Sequence, residues 1–409
     1  MKDSSFNCTV ASEKAYNKLR QGSNDKSVMI IFLLTFFLLY TSLHVYIFLK
    51  VKGALTVGMA ATIILVLFMT LMVSAPVLVR VSERHGMELF ARLLSYVGYT
   101  WFGLTFLFFT SSLCVDLYRL IVSLAGLILR TNLSSLSPSP RLAFFIPLLV
   151  TAAIATYGSF EARSICSERV VIKSPKIPKA VGTFTIAQIS DVHLGLIVRG
   201  DRLSKILSEV ERAAPDVLVS TGDLVDGQID NLRDLAELLR TVNPPHGKFA
   251  VTGNHEFYAG LDQALPFMEK AGFTVLRGEA QAVAGFMTIA GVDDPTWKHL
   301  GLFHGPSEQA LLAEVPRERF VLLLKHRPVI AEGTPGLFDL QLSGHTHKGQ
   351  IFPFNYIVKL FFPHDAGLVQ LPHHSFLYVS RGSGTWGPPI RFLSSPEVTI
   401  IQLVHEKKG

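Results

Sequence analysis

Five short clusters in the C-terminal half carry side chains that bind cations. They are Asp191-Val192-His193, Gly222-Asp223-Leu224-Val225-Asp226, Gly253-Asn254-His255-Glu256, Lys325-His326-Arg327 and Gly344-His345-Thr346-His347. Carboxylate and amide oxygens combined with imidazole nitrogens, and no thiolate, suit hard or borderline divalent metals such as Mn, Fe, Zn or Mg. A mixed ligand set of this size serves two ions better than one. Asp223, alone between a glycine and an apolar neighbour, is a carboxylate that can reach both. Any one cluster arises by chance in many proteins; five in order, each following an apolar run, do not.

Two cations about 3.5–4 Å apart lower the pKa of a water between them, aim it in line at phosphorus and neutralise phosphate oxygens. Phosphoester hydrolysis is one reaction such a centre can serve, and it would need besides an acid for the leaving oxygen. Histidine, with an unperturbed pKa near about 6.5, suits that role when a carboxylate beside it holds the proton.

The order D-x-H, G-D-x-x-D, G-N-H-E, H, G-H-x-H resembles that of calcineurin-like metallophosphoesterases, over the stretch from Arg169 to Val404. The resemblance implies an α/β domain in which a β-sandwich is flanked by helices in four αββα layers. It also implies that Asp191, His193 and His347 hold one metal, that Asn254, His326 and His345 hold the other, and that Asp223 bridges them. His255 would then be no ligand but the acid facing the substrate, oriented by Asp226. Gly227 stands where the protein Ser/Thr phosphatase branch has Arg, which counts against phosphoprotein substrates, and Lys348 stands where the resembled branch usually has Gly.

The elements that must position these residues are short apolar runs that read as strands buried on both faces: Thr183 to Ile189, Val217 to Ser220, Phe249 to Thr252, Thr288 to Gly291, Val321 to Leu324 and Leu340 to Leu342. Arg169 to Lys173 is a candidate first strand. Arg202 to Ala214 and Leu232 to Val242 have helical periodicity and stop just before Pro215 and Pro244. The clusters fall at strand-to-loop junctions, where open sheets place ligands. Ile351 to Pro363, rich in Phe and Ile, is expected to pack as core under a loop; the competing reading is an apolar lip that admits an acyl chain or touches a bilayer. Asp293, Asp294 and Trp297 read as an ordinary polar turn.

Ahead of this half, residues 27–162 are a succession of apolar runs. Val28 to Leu49, Ala54 to Val79, Leu93 to Val115 and Leu142 to Tyr157 approach the roughly 20 residues a membrane-crossing helix needs. Leu117 to Leu129 is short for a fifth span and carries Arg119, yet a count of five is favoured over four. With the Lys-bearing N-terminal tail in the cytoplasm, five spans put the C-terminal half in a lumen or outside the cell. The expected organisation is a polar tail (1–26), a membrane domain (27–162), a linker with the first strand (163–180) and a metallophosphoesterase domain (181–409).

Charge divides at the same place: residues 1–180 hold 18 Lys or Arg against 8 Asp or Glu, and the remainder 20 against 24. The basic excess flanks apolar spans, where it sets topology and meets anionic headgroups, so no nucleic-acid partner is expected. Cys8, Cys114 and Cys166 are too few and too scattered for a disulfide framework or a thiolate metal site. The expected partners are a bilayer and a phosphoester, with lipid as one candidate class, and no protein partner. The alternative reading is a catalytically silent metal-binding scaffold, which the complete ligand set argues against.

Overall fold

The computed structural model describes residues 30–31, 33–227, 232–299 and 305–406; the polar tail expected over 1–26 lies outside them. Four long helices come first: α1 (Leu33–Ala54), α2 (Met59–Arg84), α3 (Glu88–Leu129) and α4 (Leu142–Glu161). Each is long and apolar enough to cross a membrane. Leu117 to Leu129 is not a separate helix. It continues α3, a helix of 42 residues that ends only at Arg130, which takes a left-handed conformation. Asp116 and Arg119 do not break that helix, because Asp116 ion-pairs with Lys50 of α1 at 2.5 Å and with Arg119 one turn on at 3.9 Å. At 1.5 Å per residue α3 runs about 63 Å, twice a hydrocarbon core of about 30 Å. If each of the four helices crossed once, the C-terminal half would lie on the side on which α1 begins; five crossings would place it opposite.

The remainder is a sandwich of two six-stranded mixed sheets. In chain order the strands are β1 (Cys166–Ser174), β2 (Thr183–Ile189), β3 (Val217–Ser220), β4 (Lys248–Ala250), β5 (Thr274–Val275), β6 (Glu279–Val283), β7 (Met287–Gly291), β8 (Phe320–Leu324), β9 (Leu340–Ser343), β10 (Gly367–Gln370), β11 (Phe376–Val379) and β12 (Glu397–His405). One sheet runs β1-β12-β2-β3-β4-β5 and the other β10-β11-β9-β8-β7-β6. The helices between them are α5 (Gly200–Ala213), α6 (Arg233–Thr241), α7 (Asn254–Ala259), α8 (Leu261–Lys270), α9 (Thr296–His299), α10 (Glu308–Ala313) and α11 (Asn355–Phe361).

The apolar runs stay uninterrupted because each central strand buries both faces. Ile186, Val217 and Val219 meet Leu322, Leu324 and Leu342 between the sheets. Ala187, Leu218 and Ala250 turn outward against Leu203, Ile206, Leu239 and Phe267 of α5, α6 and α8. Val321 and Leu323 meet Leu311 and Leu312 of α10 on the far side. The layers are therefore αββα. The segment expected to pack as core does not do so: Ile351 is buried, but α11 beyond it has no buried residue.

The helical bundle is joined to the sandwich by specific contacts. Arg80 of α2 donates to the Tyr258 carbonyl at 2.9 Å, Glu88 of α3 pairs with Arg199 at 2.6 Å, and Tyr96 donates to the Ile197 carbonyl at 3.1 Å. At the end of α4 the buried Glu161 carboxylate accepts from the Leu393 and Ser394 N–H groups and the Ser395 hydroxyl at 2.8–3.1 Å.

Candidate metal centre

Each cluster follows a central strand, so the sheets deliver all of them to one edge of the sandwich. Asp191 and His193 follow β2, Asp223 and Asp226 follow β3, Asn254 and His255 open α7 after β4, His326 follows β8, and His345 and His347 follow β9. The chain must turn sharply to aim these side chains back across the strand ends. Asp191, His193, Asp223, His345 and His347 all have φ between 47° and 72°, a region that non-glycine residues rarely adopt and that concentrates at functional sites. Two glycines permit the close approach: a Cβ on Gly253 would overlap Asp223 Oδ1, and one on Gly344 would overlap Ser190 Oγ and Asp191 Oδ2.

The sequence-derived ligands fall into two groups. Asp191, His193 and His347 converge in one, and Asp223, His326 and His345 in the other, with the potential ligand atoms of each group within 4.8 Å of one another. Nε2 of His193 and His347 lie 3.1 Å apart, and His347 Nε2 is 3.5 Å from Asp191 Oδ1. Asp223 Oδ2 lies 3.2 Å from His326 Nε2 and 3.8 Å from His193 Nε2, so this carboxylate faces both groups. Asn254 Oδ1 is 3.2 Å from His326 Nε2, which His345 Nδ1 approaches to 3.0 Å. His255 carries its Nδ1 2.8 Å from Asp226 Oδ1 and packs edge-on against the His193 ring at 4.6 Å, so that His193, Asp226 and His255 form a third group of potential ligand atoms within 4.8 Å of one another.

The donor set fits divalent cations. His326 Nδ1 lies 2.8 Å from the Thr221 carbonyl; a carbonyl only accepts, so Nδ1 carries the ring proton when the ring is neutral and Nε2 presents a lone pair, the usual arrangement of a ligating imidazole. His193 directs Nε2 into the cluster while its Nδ1 is buried without a partner. Burial pulls His193 down to about 4 and His345 to about 3, and burial with the adjacent Arg391 holds His347 well below the usual range, so these three rings are neutral, as ligands must be. Burial pushes the Asp191 carboxyl up to about 6, which marks a buried acid short of positive charge. His347 carries one constraint: Arg391 Nη2, a pure donor, lies 3.1 Å from its Nδ1. Ligation through Nε2 would move the ring proton to Nδ1 and open that contact.

His255 is tuned the other way. Burial alone would lower it, but the Asp223 and Asp226 carboxylates outweigh burial and push it up to about 9. Its ring packs edge-on against Tyr258 and the exposed Trp386, with centroids 5.5 and 5.7 Å away.

Three residues take supporting parts that the sequence analysis did not assign to them. The fully buried Glu256 carboxylate accepts the N–H groups of Gly253, Asp223, Leu224 and Val225 at 2.6–3.2 Å, which fixes the loops bearing Asp223 and Asn254 against each other. Its position three residues after the cap of α7 is where a Glu turns back onto the helix start, so the signal was present. Arg391, fully buried, donates to the Arg381, Gly384 and Ser394 carbonyls behind His347; nothing in its sequence neighbourhood announces this. Asp294 is buried rather than part of an open turn and grips Arg327, the residue after His326, at 2.7 and 3.1 Å.

A two-sheet αββα sandwich with carboxylates, an amide and imidazoles gathered at its strand ends defines a protein of the metallophosphoesterase class. Residues 184–349 match the family described as calcineurin-like phosphoesterase. An uncharacterized metallophosphoesterase of Aquifex aeolicus is 44% identical over 257 residues, covering 63% of this chain and 98% of that protein. One from Campylobacter jejuni is 31% identical over 320 residues, covering 76% and 84%. The transmembrane protein with metallophosphoesterase domain of Danio rerio is 33% identical over 273 residues, covering 63% and 62%. The chain belongs to the calcineurin-like phosphoesterase family.

Proposed function

We propose that the protein is a multi-pass, membrane-anchored hydrolase of phosphoesters that works with two divalent cations. Asp191, His193 and His347 would hold one, Asn254, His326 and His345 the other, and Asp223 would be shared. The observation that carries the reading is the convergence of these groups around Asp223, with ring nitrogens of both groups turned inward. Bound cations would supply Lewis-acid polarisation of the phosphate oxygens and a water acidic enough to attack near neutral pH. The chain supplies the acid: Asp226 occupies His255 Nδ1, which leaves Nε2 to hand its proton to the departing oxygen. Glu256 holds the Asp223 and Asn254 loops in register for this geometry.

Four crossings, with Lys2, Lys14, Lys18, Arg20 and Lys26 of the tail retained in the cytoplasm, would put the catalytic domain on the cytoplasmic side. Protection of the C-terminal half from protease added outside sealed cells or right-side-out vesicles is the expected result, and cleavage there reverses the assignment.

The test of activity is the full chain in detergent with added Mn or Zn on a generic aryl phosphodiester or monoester. Turnover is expected in the wild type and loss to background, with loss of bound metal, in Asp223→Ala. Equal rates in the two proteins would overturn the enzymatic reading.

A further inference from the structure

The apolar surface of α11 is exposed to an unusual degree for a soluble face, and it lies between the membrane helices and the metal centre. Leu360 and Phe361 are 80% and 74% exposed, and Tyr356 is 62% exposed. The first link is to α3. Phe354 packs edge-on against Phe106 at 5.9 Å, and Ile351 shares an apolar cluster with Leu107 and Ile390. Tyr96, nearer the start of α3, meets the sandwich, whereas Phe106 and Leu107 lie farther along, on an apolar run that continues to Val115 with no Asp, Glu, Lys or Arg; such a run is what a spanning helix sets in hydrocarbon. A second link runs to α4 through a chain of rings: Tyr157 to Phe392 at 6.1 Å, Phe392 to Phe352 at 6.4 Å, and Phe352 to Tyr356 at 5.8 Å. The third link is to the site, where Phe362, directly after α11, packs edge-on against the ring of His345 at 5.1 Å.

We propose that α11 is a lip set in the membrane leaflet beside the catalytic domain, and that the phosphoester reaching the metal centre is the headgroup of an acylated lipid. The inference rests on the phosphoesterase reading and names its substrate class. The continuity of α11 with the charge-free surface of α3 selects lipid as its cover: a segment packed at that depth faces acyl chains wherever it does not face protein. Lys359, half-exposed on α11 and 3.7 Å from Asp365, is the side chain that can reach up to anionic headgroups along its own apolar stem. Lipid hydrolysis at the centre is redox-neutral. Water bonds to phosphorus and gives up one proton to solvent, the P–O bond to the leaving alcohol breaks, that oxygen takes the proton from His255 Nε2, and His255 regains a proton from solvent.

Two measurements on the full chain in dioleoylphosphatidylcholine vesicles test this. In a Leu360→Cys chain with Cys8, Cys114 and Cys166 replaced by Ser, an environment-sensitive fluorophore at position 360 is expected to emit as in an apolar medium and to be quenched by nitroxides on lipid acyl chains. Water-like emission overturns the proposal, as does shielding without lipid quenching, the signature of a second copy covering the lip. For activity, the vesicles carry phosphatidic acid or phosphatidylglycerol, and an aryl phosphoester is assayed in parallel. The Leu360→Glu/Phe361→Glu variant is expected to lower the ratio of lipid to aryl turnover by about tenfold or more. An unchanged ratio, or a wild type that turns over the aryl ester and neither lipid, overturns the substrate class; a wild type inert on the aryl ester instead defeats the phosphoesterase reading itself.

Discussion

Glu256 and Glu161 do the same physical job in two regions of this molecule. Each is a buried carboxylate that gathers donors from a turn: Glu256 holds the loops of the metal centre, and Glu161 holds residues 393–395 at the end of α4. The regions differ in what surrounds that anchor. Around Glu256 the anchor is a set of directed hydrogen bonds from four backbone N–H groups, beside the buried polar side chains of Asp223 and Asn254. Around Glu161 the junction is largely apolar contact, such as Leu107 with Ile390, and it includes a close approach at Gly158, where a Cβ would overlap Ile390. The two are also connected, because Ser394, held by Glu161, donates to the His347 carbonyl at 2.6 Å. The lesson is that directed chemistry is built from saturated polar contacts and attachment from apolar area with a few polar pins.

That contrast predicts separable effects. His255→Ala should reduce kcat on an aryl phosphoester by about 10²–10⁴-fold while metal content and melting temperature stay at wild-type values; a matching fall in bound metal would make His255 a ligand. Asp226→Asn should reduce the rate about 10- to 100-fold, the range usual for a group that orients a functional imidazole. Its pH profile carries the sharper test. The Asp226 carboxylate raises His255, whose protonated form is lost as pH rises through its pKa, so removing the charge should move the alkaline limb to lower pH. A limb that does not move would assign the proton to another group.

Glu161→Ala should lower stability by about 2 kcal/mol, since it strands buried donors, measured by thermal unfolding in detergent, with activity on the aryl ester falling less than in the two site variants. Activity lost with no change in unfolding would make the end of α4 part of the catalytic machinery and erase the distinction. Arg199→Ala, which removes a partly exposed pair with Glu88, should change stability by less than about 1 kcal/mol; a larger effect would show that polar contacts, not apolar area, attach the bundle.

Much of this is legible in the sequence. The clusters were legible because a central strand buried on both faces reads as an uninterrupted apolar run, and the polar residue that ends it is then conspicuous. Thr183 to Ile189 and Val217 to Ser220 coincide with β2 and β3 for that reason. Glu256 was visible in its motif but mute, because its partners are backbone groups that sequence does not mark. Arg391 was silent, because its carbonyl partners come from a folded turn and His347 is 44 residues away.

By itself, then, the sequence determined the candidate ligand types and their order, the strands that carry them and the apolar stretches ahead of them, all properties of local pattern. Tertiary structure decided what depends on distance between remote residues. It turned Leu117 to Leu129 into the end of α3, since the ion pair with Lys50 lets Asp116 remain inside a helix. It left α11 uncovered, since hydropathy is the same for a buried strip and for one facing lipid. And it set Asp223 between two groups of imidazoles, since only the closing of both sheets onto one edge brings β2, β3, β4, β8 and β9 to a common point.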